Sequence, residues 1–225
     1  MSFNSDGILI FCPTARLEPE TVRAIFDQDY TGPCDVMFTL DNPYGHATRD
    51  DDYDNILHNY RKMRRMMLAG DYQAVWCVES DVLPPRDALR KLLAVDGDTV
   101  GGLYALRNGK THPANAFALG AEPGIDRWME WDEIARHWGQ VIETAGTCLG
   151  CLLIRREVLE QVDFHSAKPC ACDVGWMQDL YRLGKRQMCD LSVVCGHKQP
   201  DGMILWATPQ GVRYEKTEPS FWEIS

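Results

Sequence analysis

The sequence predicts an α/β protein built on a mostly parallel, doubly wound sheet, with an elaborated C-terminal half. Three observations carry this. Short apolar runs of strand length alternate with segments of helical period through the first hundred residues. Turn-forming residues stand at each change of period. Two acids, Glu79 and Asp81, lie just past a strand-like run and before the double proline Pro84-Pro85. In an open α/β sheet that position, beyond a strand's carboxyl end, is where ligands bind.

Residues 7–12 (Gly-Ile-Leu-Ile-Phe-Cys) read as a continuous buried strand that ends in the turn-forming Pro13-Thr14. Pro19 suits the first position of a helix, and Val22, Ile25 and Phe26 follow at helical spacing. Residues 35–40 read as a second strand, closed by the turn Asp41-Asn-Pro-Tyr-Gly45. Residues 50–70 form a long helix with Ile56, Leu57, Tyr60, Met63, Met67 and Leu68 on its apolar side and Gly70 as its stop. The third strand, residues 74–78, leads into Glu79-Ser80-Asp81; a helix through Leu89, Leu92 and Leu93 and a fourth strand over residues 99–104 follow.

The middle is less regular. Residues 107–143 carry Trp128, Trp131 and Trp138 and read as a surface insertion with a short helix over 131–138; long irregular segments of this kind are often binding loops. Residues 146–154 return to a single buried strand, followed by a short helix over 155–162 and a loop over 163–172. Residues 173–183 form a helix stopped by Gly184, residues 187–195 hold two short strand pieces, and the tail offers edge strands over 203–207 and 212–214. No repeat, low-complexity run or linker divides the 225 residues, which predicts one domain.

A formal net charge of −10 argues against nonspecific attraction to nucleic acid or anionic membrane as the main role. The polar start and the short apolar run 8–12 predict neither a secretion signal nor a spanning helix. Nine cysteines, several inside apolar runs (Cys12, Cys77, Cys151), favour a reduced, cytoplasmic chain over a disulfide scaffold. Cys148-x-x-Cys151 with Cys170-x-Cys172 is a poor zinc knuckle, because in a regular strand the first pair points to opposite faces.

Two acids at a strand end can cap a helix, serve a phosphate-loop NTPase, or hold a divalent cation. The NTPase reading fails: the one Gly-Lys-Thr, at residues 109–111, follows the acids, and Tyr104 stands where the motif needs its first glycine. The remaining parts come in an ordered set. Pro13-Thr14 ends the first strand, Asp41 the second and Glu79-Ser80-Asp81 the third. Then come Gly150-Cys-Leu-Leu-Ile-Arg-Arg156, Asp173 at a helix start, Gly184, and Val193-Val-Cys-Gly-His197.

From Gly7 to His197 this order resembles nucleotide-sugar-dependent glycosyltransferases of the GT-A type, closest to the family 2-like members. The resemblance implies a Rossmann-like, GT-A-like domain over residues 1–225, with a nucleotide-binding half (1–105) and an acceptor-side half and tail (106–225). It implies that Pro13, Thr14 and Asp41 line the nucleotide pocket and that Glu79 reaches the ribose or a metal-bound water. Asp81 and His197 would hold Mn²⁺ or Mg²⁺, whose charge the departing nucleoside diphosphate needs. Asp173 would be the general base that takes the acceptor proton. The family usually carries two acids there, and this chain has Cys172-Asp173.

Plainer readings stand beside these. Asp173 can be a helix N-cap, with Asp179 as an alternative base; His197 can be a loop histidine bonded to a carbonyl; Lys198 can touch a diphosphate or simply be solvated. The implied partners are a UDP- or GDP-sugar and a hydroxyl acceptor: a saccharide, a small molecule, or a modified nucleobase in DNA, the last disfavoured by the acidic charge. A nucleotidyltransferase would usually show a glycine-rich basic loop after the first strand, which is missing here; a non-catalytic binding module with the same fold is the other alternative.

Overall fold

The computed structural model describes residues 7–13, 18–45, 47–107, 113–120, 127–168 and 170–216. Its centre is a seven-stranded sheet. The apolar run after Gly7 becomes β1 (Ile8–Pro13), buried on both faces, flanked by the edge strand β2 (Cys34–Thr39) and by β3 (Ala74–Val78). Beyond β3 lie β9 (Cys151–Arg155), β5 (Thr99–Leu103), β10 (Gln187–Val194) and the far edge β7 (Val141–Thr144), in the order β2-β1-β3-β9-β5-β10-β7. Strands β2, β1, β3, β5 and β10 share one direction; β9 and β7 run against their neighbours. The mostly parallel α/β sheet expected from the sequence is therefore present, with an antiparallel strand at its centre.

Side chains alternate across a strand, so each buried strand feeds two cores. Leu9, Phe11, Val75, Cys77, Leu152 and Ile154 pack against α2 (Arg49–Ala69), α5 (Arg156–Gln161) and α6 (Cys172–Arg182). Ile8, Ile10, Trp76, Val78 and Leu153 pack on the other face against α1 (Pro19–Phe26) and α3 (Ala88–Ala94). Pro19 opens α1 as expected, and Thr48 and Asp51 close a capping box on α2. Trp76 and Trp176 are fully buried, and Trp176 stacks on Phe164 at 4.7 Å.

Three expectations are corrected. Residues 146–154 are not one strand: β8 (Gly146–Thr147) pairs with β6 (Ala116–Phe117), and β9 begins only at Cys151. β8 lies directly over β5: a Cβ on Gly101 would collide with the Thr147 side chain, so glycine admits the close approach. Residues 187–194 form one strand with a register shift between Asp190 and Val194, not two pieces. The 107–143 segment is more than a surface insertion. Ala114, Ala116 and Ile134 are fully buried in a third apolar cluster with Cys189, Leu191 and Leu205, and β7 joins the main sheet. Its tryptophans serve packing: Trp128 stacks on Phe117 at 4.0 Å at the edge of the first cluster, while Trp138 and Trp131, the first residue of α4 (Trp131–Arg136), pack against the third.

A second sheet, in the order β13-β12-β11-β4, joins the tail to the middle of the chain. It comprises β4 (Val82–Leu83), β11 (Gly196–Lys198) and the hairpin β12 (Met203–Thr208) and β13 (Gly211–Lys216).

The Arg155-Arg156 pair has a structural task. The two side chains leave the end of β9 toward opposite faces. Arg155 donates to the carbonyls of Leu93 (3.0 Å) and Val95 (3.2 Å) at the end of α3. Arg156 donates to Met67 (3.2 Å), Leu68 (3.2 Å), Gly70 (2.8 Å) and Tyr72 (3.1 Å) at the end of α2, and to Glu160 (2.8 Å). Helix C-termini leave carbonyls without partners, and α2 has no basic residue in its own last turn. Arg156→Met should therefore lower unfolding free energy by about 2–4 kcal/mol in urea titrations, since charged hydrogen bonds are lost and carbonyls orphaned.

Candidate functional site

The connection from β1 through α1 to β2 runs over one face of the sheet, and that from β2 through α2 to β3 over the other. The loops therefore diverge at the carboxyl ends of β1 and β3 and open a crevice there. A cavity of about 340 Å³ fills it, lined by Pro13 from β1, by Asn42, by Asn55, Asn59 and Tyr60 on α2, and by Glu79, Ser80 and Asp81 beyond β3. Thr14 lies outside the described residues.

His197 reaches this place through the second sheet. β11 pairs antiparallel with β4, His197 opposite Val82, and the Lys198 amide donates to the Asp81 carbonyl at 2.7 Å. The buried His197 ring stands edge-on to Tyr104 at 5.3 Å. Its Nδ1 lies 2.8 Å from the Ala105 carbonyl, which can only accept, so Nδ1 carries the proton. Nε2 faces Asp81 Oδ2 at 3.7 Å, and in the neutral ring it is the nitrogen open to a metal. The carbonyl bond anticipated as a plain reading of His197 is present, and it is also what orients a metal-binding imidazole.

The three acids sit in unequal surroundings. Around Asp81 burial opposes ionisation, but the His197 ring and the Arg107 guanidinium outweigh it and hold the carboxyl below its usual range. Glu79, whose amide donates to the Gly150 carbonyl at 3.0 Å, feels the Arg107 charge too weakly to offset its burial. Burial first, then the charges of Asp81 and Asp173, push it up to about 8. Asp173 is raised as well, by burial. Gly150 is glycine for lack of space: a Cβ there would meet the Tyr104 hydroxyl at 2.5 Å and Glu79 Oε2 at 3.1 Å.

Asp173 lies in the first turn of α6 and is not its cap. The N-cap is Ala171, while Asp173 Oδ1 accepts from the Val174 amide at 2.8 Å and its carboxylate from the Cys148 thiol. Cys148 precedes β9, half-buried beside Asp173 and Glu79. Asp179 is committed elsewhere, to His165 (2.8 Å) and Arg182 (2.9 Å).

Asp41 stands at the exposed rim, where its carboxylate accepts from His58 (3.0 Å) and Lys62 (3.1 Å), bonds that hold it below the usual range. Its neighbour Asn42 lines the cavity. Lys198 is neither solvated nor placed to receive a phosphate; it is buried, with Nζ on Glu18 (2.9 Å) and Glu20 (3.0 Å).

The structure adds residues that sequence reasoning passed over. Asn55 and Asn59 are buried one turn apart on α2. Asn55 accepts from the Tyr44 amide at 3.0 Å, and Asn59 donates to the carbonyl of Asp41 (3.0 Å) and to Asn42 (3.2 Å). They fasten the loop after β2 to the helix, and two amides interrupting an apolar stripe were the available signal. Arg107, just past β5, places its guanidinium on the Asp81 carboxylate and 3.5 Å from the Lys198 carbonyl. An arginine beyond a strand end on the same edge of the sheet was the signal there.

Asp81 and His197 suit a divalent cation. Two ligand bonds of about 2.1 Å can span up to about 4.2 Å, and the Nε2–Oδ2 separation of 3.7 Å falls within that. Among the described residues no group of three or more His, Cys, Asp or Glu side chains is placed to hold a metal, so further ligands would come from water or substrate.

No protein-family model matches the chain, and no curated protein matches it. Solved structures do. One, described as "Crystal Structure of A197 from STIV", aligns with a TM-score of 0.60 over 95% of this chain and 95% of its own, at 16% identity. At that identity the likeness concerns the fold.

A carboxyl whose ionisation point rises on folding keeps its proton in the native state after the unfolded chain has lost its own. Its contribution to stability therefore falls as pH climbs from the ordinary 4.5 through about 8. Glu79→Gln removes that fall. Thermal melts should place this variant above the parent at about pH 9 and level with it at about pH 5.

Proposed function

We propose that this protein is a metal-dependent glycosyltransferase of the GT-A type, moving a sugar from a nucleotide sugar to an acceptor hydroxyl. The observation that carries the reading is the crevice between the ends of β1 and β3, where Asp81 and Nε2 of His197 converge 3.7 Å apart at the mouth of a nucleotide-sized cavity. A cation bound there would be Mn²⁺ or Mg²⁺, since imidazole with carboxylate suits Mn²⁺ better than Ca²⁺. It would supply positive charge to the diphosphate that leaves.

The chain's own residues take the other tasks. Pro13 and the loop carrying Asp41 and Asn42, held by Asn55 and Asn59, border the nucleotide. Glu79, protonated near neutral pH, can donate as well as accept a hydrogen bond and so suits a ribose hydroxyl. Asp173 has an ionisation point raised toward the working range of a general base, and Cys148 and the Val174 amide hold its carboxylate in place. It takes the acceptor proton.

The donor on this reading is a UDP- or GDP-sugar, and the acceptor a saccharide, a small hydroxyl compound or a modified nucleobase. The formal charge of −10 weighs against long DNA contacts. No helix among the described residues is long and apolar enough to cross a membrane, in keeping with a cytoplasmic enzyme acting on dissolved substrates.

A thermal-shift screen of nucleoside diphosphates with and without Mn²⁺ tests this directly. The expected outcome is stabilisation by UDP or GDP that requires the metal, lost in both Asp81→Asn and His197→Ala. Both variants should also release nucleoside diphosphate from the matching nucleotide sugar about 100-fold more slowly. Nucleotide binding equal in the parent and both variants would defeat the metal role. Release of pyrophosphate from a nucleoside triphosphate and a sugar phosphate would point to a nucleotidyltransferase instead.

A further inference from the structure

Arg107 has no part in the function proposed above, yet it sits on the site's most acidic group. Its guanidinium contacts the Asp81 carboxylate, and it is half-exposed, so neighbouring side chains do not wedge it there. It also divides two spaces. With Glu18, Ser80 and Asp81 it lines a cavity of about 270 Å³ beside the nucleotide crevice. With Gln199, Met203, Leu205 and Tyr214 it lines a second, of about 400 Å³, against the β12–β13 hairpin. The side chain can therefore leave Asp81 for open volume on either side.

Asp81 Oδ2 thus faces two claims, from the guanidinium already on it and from a cation held with His197 Nε2. A guanidinium and a divalent cation repel, and both seek the same oxygen's lone pairs. A released guanidinium needs another anion, and its planar fork matches phosphate oxygens. A diphosphate at the Asp81 end of the crevice lies within the reach the side chain already shows.

We propose that Arg107 is an exchangeable counter-cation: it neutralises Asp81 in the empty protein, yields that carboxylate to the divalent cation, and then binds the donor diphosphate. This rests on the metal-dependent reading above. The exchange couples the two ligands, since Mn²⁺ frees the arginine for the diphosphate and the diphosphate draws it off the metal site. An arginine that merely braced the Lys198 strand would affect stability and leave this coupling alone.

The test is Mn²⁺ binding by electron paramagnetic resonance and UDP and GDP binding by calorimetry, on the parent, Arg107→Gln and Asp81→Asn, each first matched by circular dichroism. Arg107→Gln should bind Mn²⁺ alone about fivefold to tenfold more tightly than the parent, and bind the nucleotide in saturating Mn²⁺ more weakly by a similar factor. Arg107→Lys, which keeps the charge without the fork, should fall between. If Arg107→Gln matches the parent in Mn²⁺ affinity, or in nucleotide affinity, while Asp81→Asn loses the metal, the exchange is refuted and the metal reading survives. If neither the parent nor Arg107→Gln binds Mn²⁺, both fall together.

Discussion

The arrangement depends on a single antiparallel strand at the middle of a parallel sheet. β9 is hydrogen-bonded to β3 on one side and to β5 on the other, so its backbone is satisfied and its position is fixed by both neighbours. Because it runs against them, its start lies where they end. The turn before it therefore brings Cys148 and Gly150 to the edge that carries Glu79, while its finish takes Arg155 and Arg156 to the opposite edge and the open ends of α3 and α2. The turn into this strand thus supports the acid cluster, and the two arginines at its finish cap two helices.

At the functional edge, desolvation and partner charge shift the ionisation of three acids in opposite directions. Burial disfavours ionisation of all three, and only at Asp81 do the His197 ring and the Arg107 guanidinium outweigh the penalty. A proton on Glu79 near neutral pH removes part of the repulsion that three adjacent carboxylates would otherwise produce. Asp81 is thus the site's standing negative charge, met by Arg107, while burial holds Glu79 and Asp173 above their ordinary ranges.

Much of the fold was legible because it rests on local signals. The apolar run of β1, the proline opening α1, the acid-rich start and glycine end of α2 and the acids after β3 can be read residue by residue, and the structure has each in place. The interrupted strand at 146–154 was illegible for a stated reason: the break is imposed by the close approach over Gly101, a contact between distant segments. The burial of Ala114, Ala116 and Ile134 was hidden likewise, since they acquire their apolar partners from β10 and the β12–β13 hairpin.

By itself the sequence determined the class of the fold, the β1–α1–β2–α2–β3 order and the placing of Glu79 and Asp81 at a strand end, because these follow from periodicity, turn chemistry and chain order. Only the tertiary structure decided what those acids meet. His197 is directed by a carbonyl 92 positions away in the chain, and Arg107 by a carboxylate 26 positions away. Lys198 is withdrawn from solvent by Glu18 and Glu20 at the opposite end of the sequence. Which charge faces which is a property of packed distances, and periodicity along a chain holds no record of those.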